Sequence, residues 1–385
     1  MRNAIFKAKL ESLEKQSLSR FCSRFNLSVK EFKQSQQQFY ENKWLNELAA
    51  LEATYGKEAM IPVRTNIEKA PNDYWSNLHY WTELAYKADI IFLLRLGDRI
   101  PVNEAYVFQL LNAYGLPISR SKSENVRMVL ENTPALIQFD LECNAYVEIG
   151  EGLNESPIIC IYPHFLDSLN YLSDMLLHSV LTLGKGGTFE FREEEYISQV
   201  SSSNMLHLIS CVSILQRLIG VSRTSRTISS CAFSVNHPQR FAEISLVRDG
   251  AKGLIKFHEI GHLLLGHLEQ PPSPSLELAA DSFAAVTLIL GAETEEQRNY
   301  YYLGMAILFS VLEILEDMFG YNSITHPSAQ ERIKNLVEQL KLPVLNQLIG
   351  YFRLALSDGY KTLRHLVDKD LTLEDLLKQQ NLSWD

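Results

Sequence analysis

Two imidazoles and three carboxylates stand at helical spacing within one short stretch of this chain. His258, Glu259 and His262 form an HExxH pattern, and Glu277 and Asp281 form an ExxxD pattern that begins fifteen residues after His262. Side chains at i and i+4 of an α-helix share a face, so His258 and His262 can direct two ring nitrogens at one ion. Glu259 lies near that face without chelating and can reach a water there, the position of a general base. Glu277 and Asp281 are also i and i+4. One can bind the ion while the other accepts the free N–H of a ligating ring and fixes its tautomer. Two imidazoles and one carboxylate suit Zn2+. The expected metal ligands are therefore His258, His262 and Glu277, with Glu259 catalytic and Asp281 in the shell behind the ligands. An acidic pair at this spacing is more often a solvated helix face, and only its place after HExxH gives it this role.

His267 is the competing third ligand. It lies five residues after His262, about 140° round a continuing helix at about 100° per residue. It is expected to point away, as a packing or helix-terminal histidine. The positioning elements follow from the flanks. Lys252–Phe257 leads in, Leu263–Leu265 supplies core positions, and Pro271-Pro272 is expected to stop the helix. Ser275–Ala285 reads as the second helix, and its small residues Ala279, Ala280, Ala284 and Ala285 permit close approach to the first.

With these motifs the chain resembles the gluzincins, zinc peptidases with HExxH on one helix and a glutamate ligand on the next. Thr325-His326-Pro327-Ser328-Ala329-Gln330-Glu331-Arg332-Ile333 resembles the THP…ERI segment of the HtpX and CAAX-prenyl-protease type. Ile158–Leu166 has the look of the strand-then-helix lead into a zincin site. The resemblance covers about 157–335, and only the HExxH, ExxxD and THP…ERI stretches are specific. It implies His326 as a catalytic residue near the oxyanion, with Arg332 or one of Tyr300, Tyr301 and Tyr302 as other donors. HtpX-type enzymes span membranes, whereas this chain is more similar to the phage-exclusion protease Lit, which cleaves elongation factor Tu. HEIGHLLLGH also resembles ImmA-like peptidases that cleave repressors, although those lack THP…ERI.

The expected activity is that of a zinc endopeptidase acting on one intracellular protein. Rival readings are an ImmA-like regulatory peptidase, a hydrolase of another amide, and a non-catalytic partner-binding module on a degenerate peptidase fold. The intact Glu259 speaks against the last.

At 385 residues, with 46% hydrophobic and 10% aromatic residues, the chain can fill one large core or two modest ones. Its formal charge of −10 argues against nucleic acid or an anionic membrane as main partner. Five scattered cysteines without a CxxC pair fit a reducing compartment. The N-terminus lacks a signal-like apolar run, and polar residues interrupt the apolar stretches 205–221 and 302–315, so a cytoplasmic location without a membrane span is expected.

The fold class expected is α+β and predominantly helical. It comprises a helical recognition or regulatory region at 1–130, a zincin-like domain with a small sheet at 131–340, and a helical C-terminal extension at 341–385. Ser28-Val29-Lys30-Glu31 reads as a capping box opening a helix through Leu51. The Gln-rich 34–38 run reads as a solvated face, and a helix-turn-helix at 21–32 is a minor alternative. The aromatic segment 71–81 reads as core or partner surface. Alternation at 134–141 and 145–149 and a run at 157–162 read as strands, whose edge would receive an extended substrate. Polar stretches at 193–195, 201–203 and 222–230 read as connections. A protein that recognises or gates the site through the N-terminal region is a further expected partner.

Overall fold

The computed structural model describes residues 238–319 and 325–369 continuously. It also describes short stretches between 11 and 61, five strand segments between 135 and 191, and single positions around 169–176, 211–215 and 371–375. The continuous part is a bundle of five helices: α1 (Pro238–Leu264), α2 (Pro274–Gly291), α3 (Glu295–Phe319), α4 (Ala329–Leu340) and α5 (Pro343–Asp368).

α1 is the central element. Its 27 residues span about 40 Å at about 1.5 Å per residue. Ile244, Val247, Ala251, Leu254, Phe257, Ile260 and Leu264 are all buried, and they cover more than one stripe of the helix. A helix apolar on several sides needs neighbours on several sides, and α2 and α3 both pack along it. α3 also supports α5, and α4 bridges α2 and α3. Phe283, Phe309 and Phe352, from α2, α3 and α5, are the largest fully buried side chains.

Local chemistry sets the helix ends. Pro274 occupies the first turn of α2 behind an extended Ser273, where the missing N–H is no loss. α4 opens on a capping box in which the Ser328 hydroxyl accepts from the Glu331 amide and the Glu331 carboxylate accepts from the Ser328 amide. Its first amide, at Ala329, also donates to Glu316 of α3 at 2.7 Å. Arg353 pairs with Glu313, and Arg364 with Asp317 at 2.8 Å, between α5 and α3. Arg353, Arg364 and Asp317 are more than half exposed, so each pair adds only about 0–1 kcal/mol. α5 is held chiefly by Leu345, Leu348, Ile349, Phe352 and Leu356 in the common core.

The α+β expectation is corrected: the fold is essentially all-helical, and Pro238–Asp368 contains no strand among its described residues. Upstream, Ala135–Ile137, Ala145–Glu148 and Ile158–Ile161 pair in the order first, third, second, and Leu181–Leu183 pairs with Phe189–Phe191. These are pairings of three or four residues, short of the usual five or six, and of them Ala145–Glu148 touches α1. α2 and α3 make the main packing along α1.

α2 is long and apolar enough to cross a bilayer by length and composition. In the bundle, ten of its residues are buried against protein, which accounts for that composition. Near the N-terminus the expected capping box is present: Glu31 N donates to Ser28 Oγ at 3.1 Å and Ser28 N to Glu31 Oε2 at 3.2 Å. Most of the helix continuing to Leu51 lies outside the described residues, as do positions 21 and 24–27 of the helix-turn-helix stretch. The Gln-rich run after Gln34, the aromatic segment 71–81 and the connections at 193–195, 201–203 and 222–230 also lie outside them.

Candidate metal centre

HExxH occupies the last two turns of α1, and ExxxD the first two turns of α2. Gly261 brings the two helices together at this level: a Cβ there would stand 3.1 Å from the Phe283 ring and 3.3 Å from Cα of Ala280. The small residues expected to allow close approach do so at Ala280, next to Asp281.

His258, His262 and Glu277 converge. His258 Nε2 is 3.0 Å from His262 Nε2 and 3.3 Å from Glu277 Oε2, and His262 Nε2 is 3.5 Å from Glu277 Oε1. Ligands bound at about 2.0–2.1 Å to a tetrahedral zinc stand about 3.3 Å apart, so this triangle matches the edges of such a site. The donor chemistry agrees. Two imidazole nitrogens and one carboxylate oxygen are donors that suit zinc.

Asp281 is fully buried behind His258. His258 Nδ1 donates to Asp281 Oδ1 at 2.9 Å, so that in the neutral ring the Nε2 lone pair faces the triangle. Asp281 also accepts two bonds from Arg332 of α4, Nε to Oδ2 at 2.6 Å and Nη2 to Oδ1 at 2.5 Å. One carboxylate thus ties α1, α2 and α4 together. Burial opposes its charge, but the Arg332 guanidinium outweighs that and holds it near about 2.

Burial likewise opposes a charged His258, yet its bonds to Asp281 and Glu277 push it up to about 10. Glu277 is driven well below the carboxylate range by the His258 and His262 rings, against the effect of burial. Glu259 is buried, and that burial lifts it to about 8 despite the opposing pull of His258. Burial also pulls His262 down.

His326 stands at the rim. Its Nε2 lies 3.7 Å from Glu277 Oε1, its side chain is 59% exposed, and its Nδ1 is 2.9 Å from Thr325 Oγ1. Arg332 was an alternative oxyanion donor, but its guanidinium is committed to Asp281 and lies over the Phe309 ring at 5.8 Å. Tyr301 is buried, accepts a bond from Gln297 at 2.7 Å, and packs its backbone at Gly250. Gly250 is eight residues from His258, about 12 Å along the helix.

The structure leaves His267 outside the ligand triangle as expected but corrects the direction in which it points. α1 ends at Leu264, before the prolines expected to stop it, and Gly266 takes a left-handed conformation at φ 75°. A short 3-10 turn, His267–Glu269, follows. The reversal returns a buried His267 to the site, its Nδ1 3.0 Å from His262 Nδ1. The sequence signal available was Gly266, a residue suited to left-handed helix ends. Burial, followed by the neighbouring His262, lowers His267 to about 4.

No match is found among curated proteins or among solved structures. Residues 233–352, which carry α1 to α4, the triangle, Asp281, Arg332 and His326, match the family described as Peptidase U49; with the His258–His262–Glu277 cluster, this match supports a zincin-like peptidase.

Proposed function

We propose that the chain is a zinc-dependent endopeptidase of the gluzincin kind, acting on a protein substrate. The observation that carries the reading is the triangle of His258, His262 and Glu277, whose edges suit zinc. Zinc, when bound, supplies Lewis acidity and a water made nucleophilic near neutral pH.

The chain's own residues supply the rest. Asp281 holds the His258 tautomer, and Arg332 keeps Asp281 ionised. Glu259, lifted by burial towards neutrality, takes a proton from the attacking water and returns it to the leaving amine. The positive charge of a bound cation would favour the carboxylate, and so the base form, of Glu259. His326, at the open rim, donates from Nε2 to the oxyanion developing on the scissile carbonyl.

The likeness to the phage-exclusion protease Lit and the Peptidase U49 match favour cleavage of one specific intracellular target, in a cytoplasmic defence role. The N-terminal region is proposed to recognise that target or gate the site.

The test is zinc per chain by elemental analysis of the wild type and His262→Ala, with mass spectrometry of a peptide library digested by the wild type and Glu259→Gln. One zinc per chain, lost in His262→Ala, and peptide cleavage lost in Glu259→Gln are expected. A chain that takes up no supplied zinc would overturn the reading. Hydrolysis of small amides without peptides would transfer the chain to another class of amide hydrolase.

A further inference from the structure

His258 and His262 each need a partner that decides which ring nitrogen carries the proton. For His258 that partner is Asp281. Among the described residues, the polar side chain within hydrogen-bond distance of His262 Nδ1 is another imidazole, His267, at 3.0 Å. The ring centroids are 5.0 Å apart with planes at 71°, so the two edges meet without stacking.

A bond between two Nδ1 atoms requires one proton and one lone pair. His262 Nε2 faces His258 Nε2 at 3.0 Å and Glu277 Oε1 at 3.5 Å. If His262 carried its proton on Nε2, it would have no lone pair there for an ion. The arrangement serves the triangle only with His262 protonated at Nδ1 and His267 accepting.

We propose that His267 is a positioning residue for the metal ligand His262, accepting its Nδ1 proton and so holding the tautomer whose Nε2 lone pair faces His258 and Glu277. The inference rests on the zinc reading of the site and deepens it. Gly266 makes the contact possible, because its positive φ of 75° turns the chain back at a point where a continuing helix would carry residue 267 away. The two ligands are thus supported differently, His258 by a carboxylate fixed by Arg332 and His262 by an uncharged ring on a short turn.

The test uses the full chain with selectively 15N-labelled histidine and three forms: wild type, His267→Phe and His267→Asn. Phe keeps a ring and removes the acceptor, whereas Asn places an oxygen near the position of Nδ1. Zinc affinity is read by chelator competition, and the His262 tautomer by nitrogen NMR, including coupling across the N–H···N bond. The wild type is expected to show a proton on His262 Nδ1 coupled to His267 Nδ1. His267→Phe should bind zinc about 10–100-fold more weakly, and His267→Asn should return to within about threefold of the wild type.

Equal affinity in wild type and a folded His267→Phe would overturn the proposal, as would His267→Asn failing as badly as His267→Phe. Should His267→Phe not fold, the wild-type spectrum alone decides: a proton on His262 Nε2 refutes the assignment. A wild type that binds no zinc but shows the Nδ1 tautomer would refute the metal reading while leaving the His262–His267 contact established. The ligand-positioning role would then fall with the metal reading.

Discussion

His258 and His326 both face Glu277, the first at Oε2 and the second at Oε1. His258 is buried at the end of α1, bonded to Asp281, which is itself bound twice by Arg332. His326 precedes α4, is 59% exposed, and is backed by the neighbouring Thr325 hydroxyl. The difference suits the roles proposed for each. Ligand geometry fixed before substrate arrives calls for supports in the core, where an unpaired partner is costly. A donor to the substrate has to be reachable, and the exposed rim offers that.

The largest expected effect lies between the two sides. Glu259→Gln should keep zinc and lose about 10³-fold in kcat/KM on a cleaved peptide, read by kinetics beside elemental analysis. A loss under about tenfold would remove Glu259 from proton transfer. Next comes the buried wall. Asp281→Asn leaves Arg332 without its ionic partner and should cost about 3 kcal/mol of folding stability by denaturant titration. Zinc affinity should fall about 10–100-fold. Asp281→Leu combined with Arg332→Leu sharpens the point, because stability should recover towards the wild type while zinc affinity does not.

His326→Ala comes third. It should lower kcat about 10²-fold with zinc affinity and melting temperature unchanged. Zinc loss in this variant would move His326 from the rim to the wall and break the comparison. The smallest effect is electrostatic and confined to acid. Asp281 is depressed from 3.8 to about 2, so its contribution is full above about pH 4 and is lost as pH falls through about 2. By linkage this amounts to about 2 kcal/mol. Denaturant titrations of the metal-free wild type between pH 5 and 2 should show this fall, and Asp281→Asn should lack it.

The HExxH and ExxxD patterns were legible because one helical turn relates their members, and a period of about 3.6 residues survives any packing. The Ser28–Glu31 capping box was legible for the same reason, since both its bonds close within four residues. The Ser328–Glu331 box is just as local but lies inside THP…ERI, a stretch read for its resemblance and not for its capping pattern. In the fold Glu331 caps α4 and Arg332 reaches Asp281, 51 residues away. The small sheet was misjudged because alternation marks a strand but not whether it lengthens into a layer. His267 was misplaced because the helix was extended past Gly266.

The sequence by itself determined which groups could share a helical face: His258 with His262, and Glu277 with Asp281. It also determined that Gly261 and Ala280 were small enough for two helices to meet. Only the tertiary structure decided that the two faces oppose each other, that Arg332 serves Asp281 rather than a substrate, and that His267 returns to His262. Those outcomes depend on where chain segments separated by a reversal or by tens of residues come to rest. Burial in a common core sets those positions, and no local periodicity encodes them.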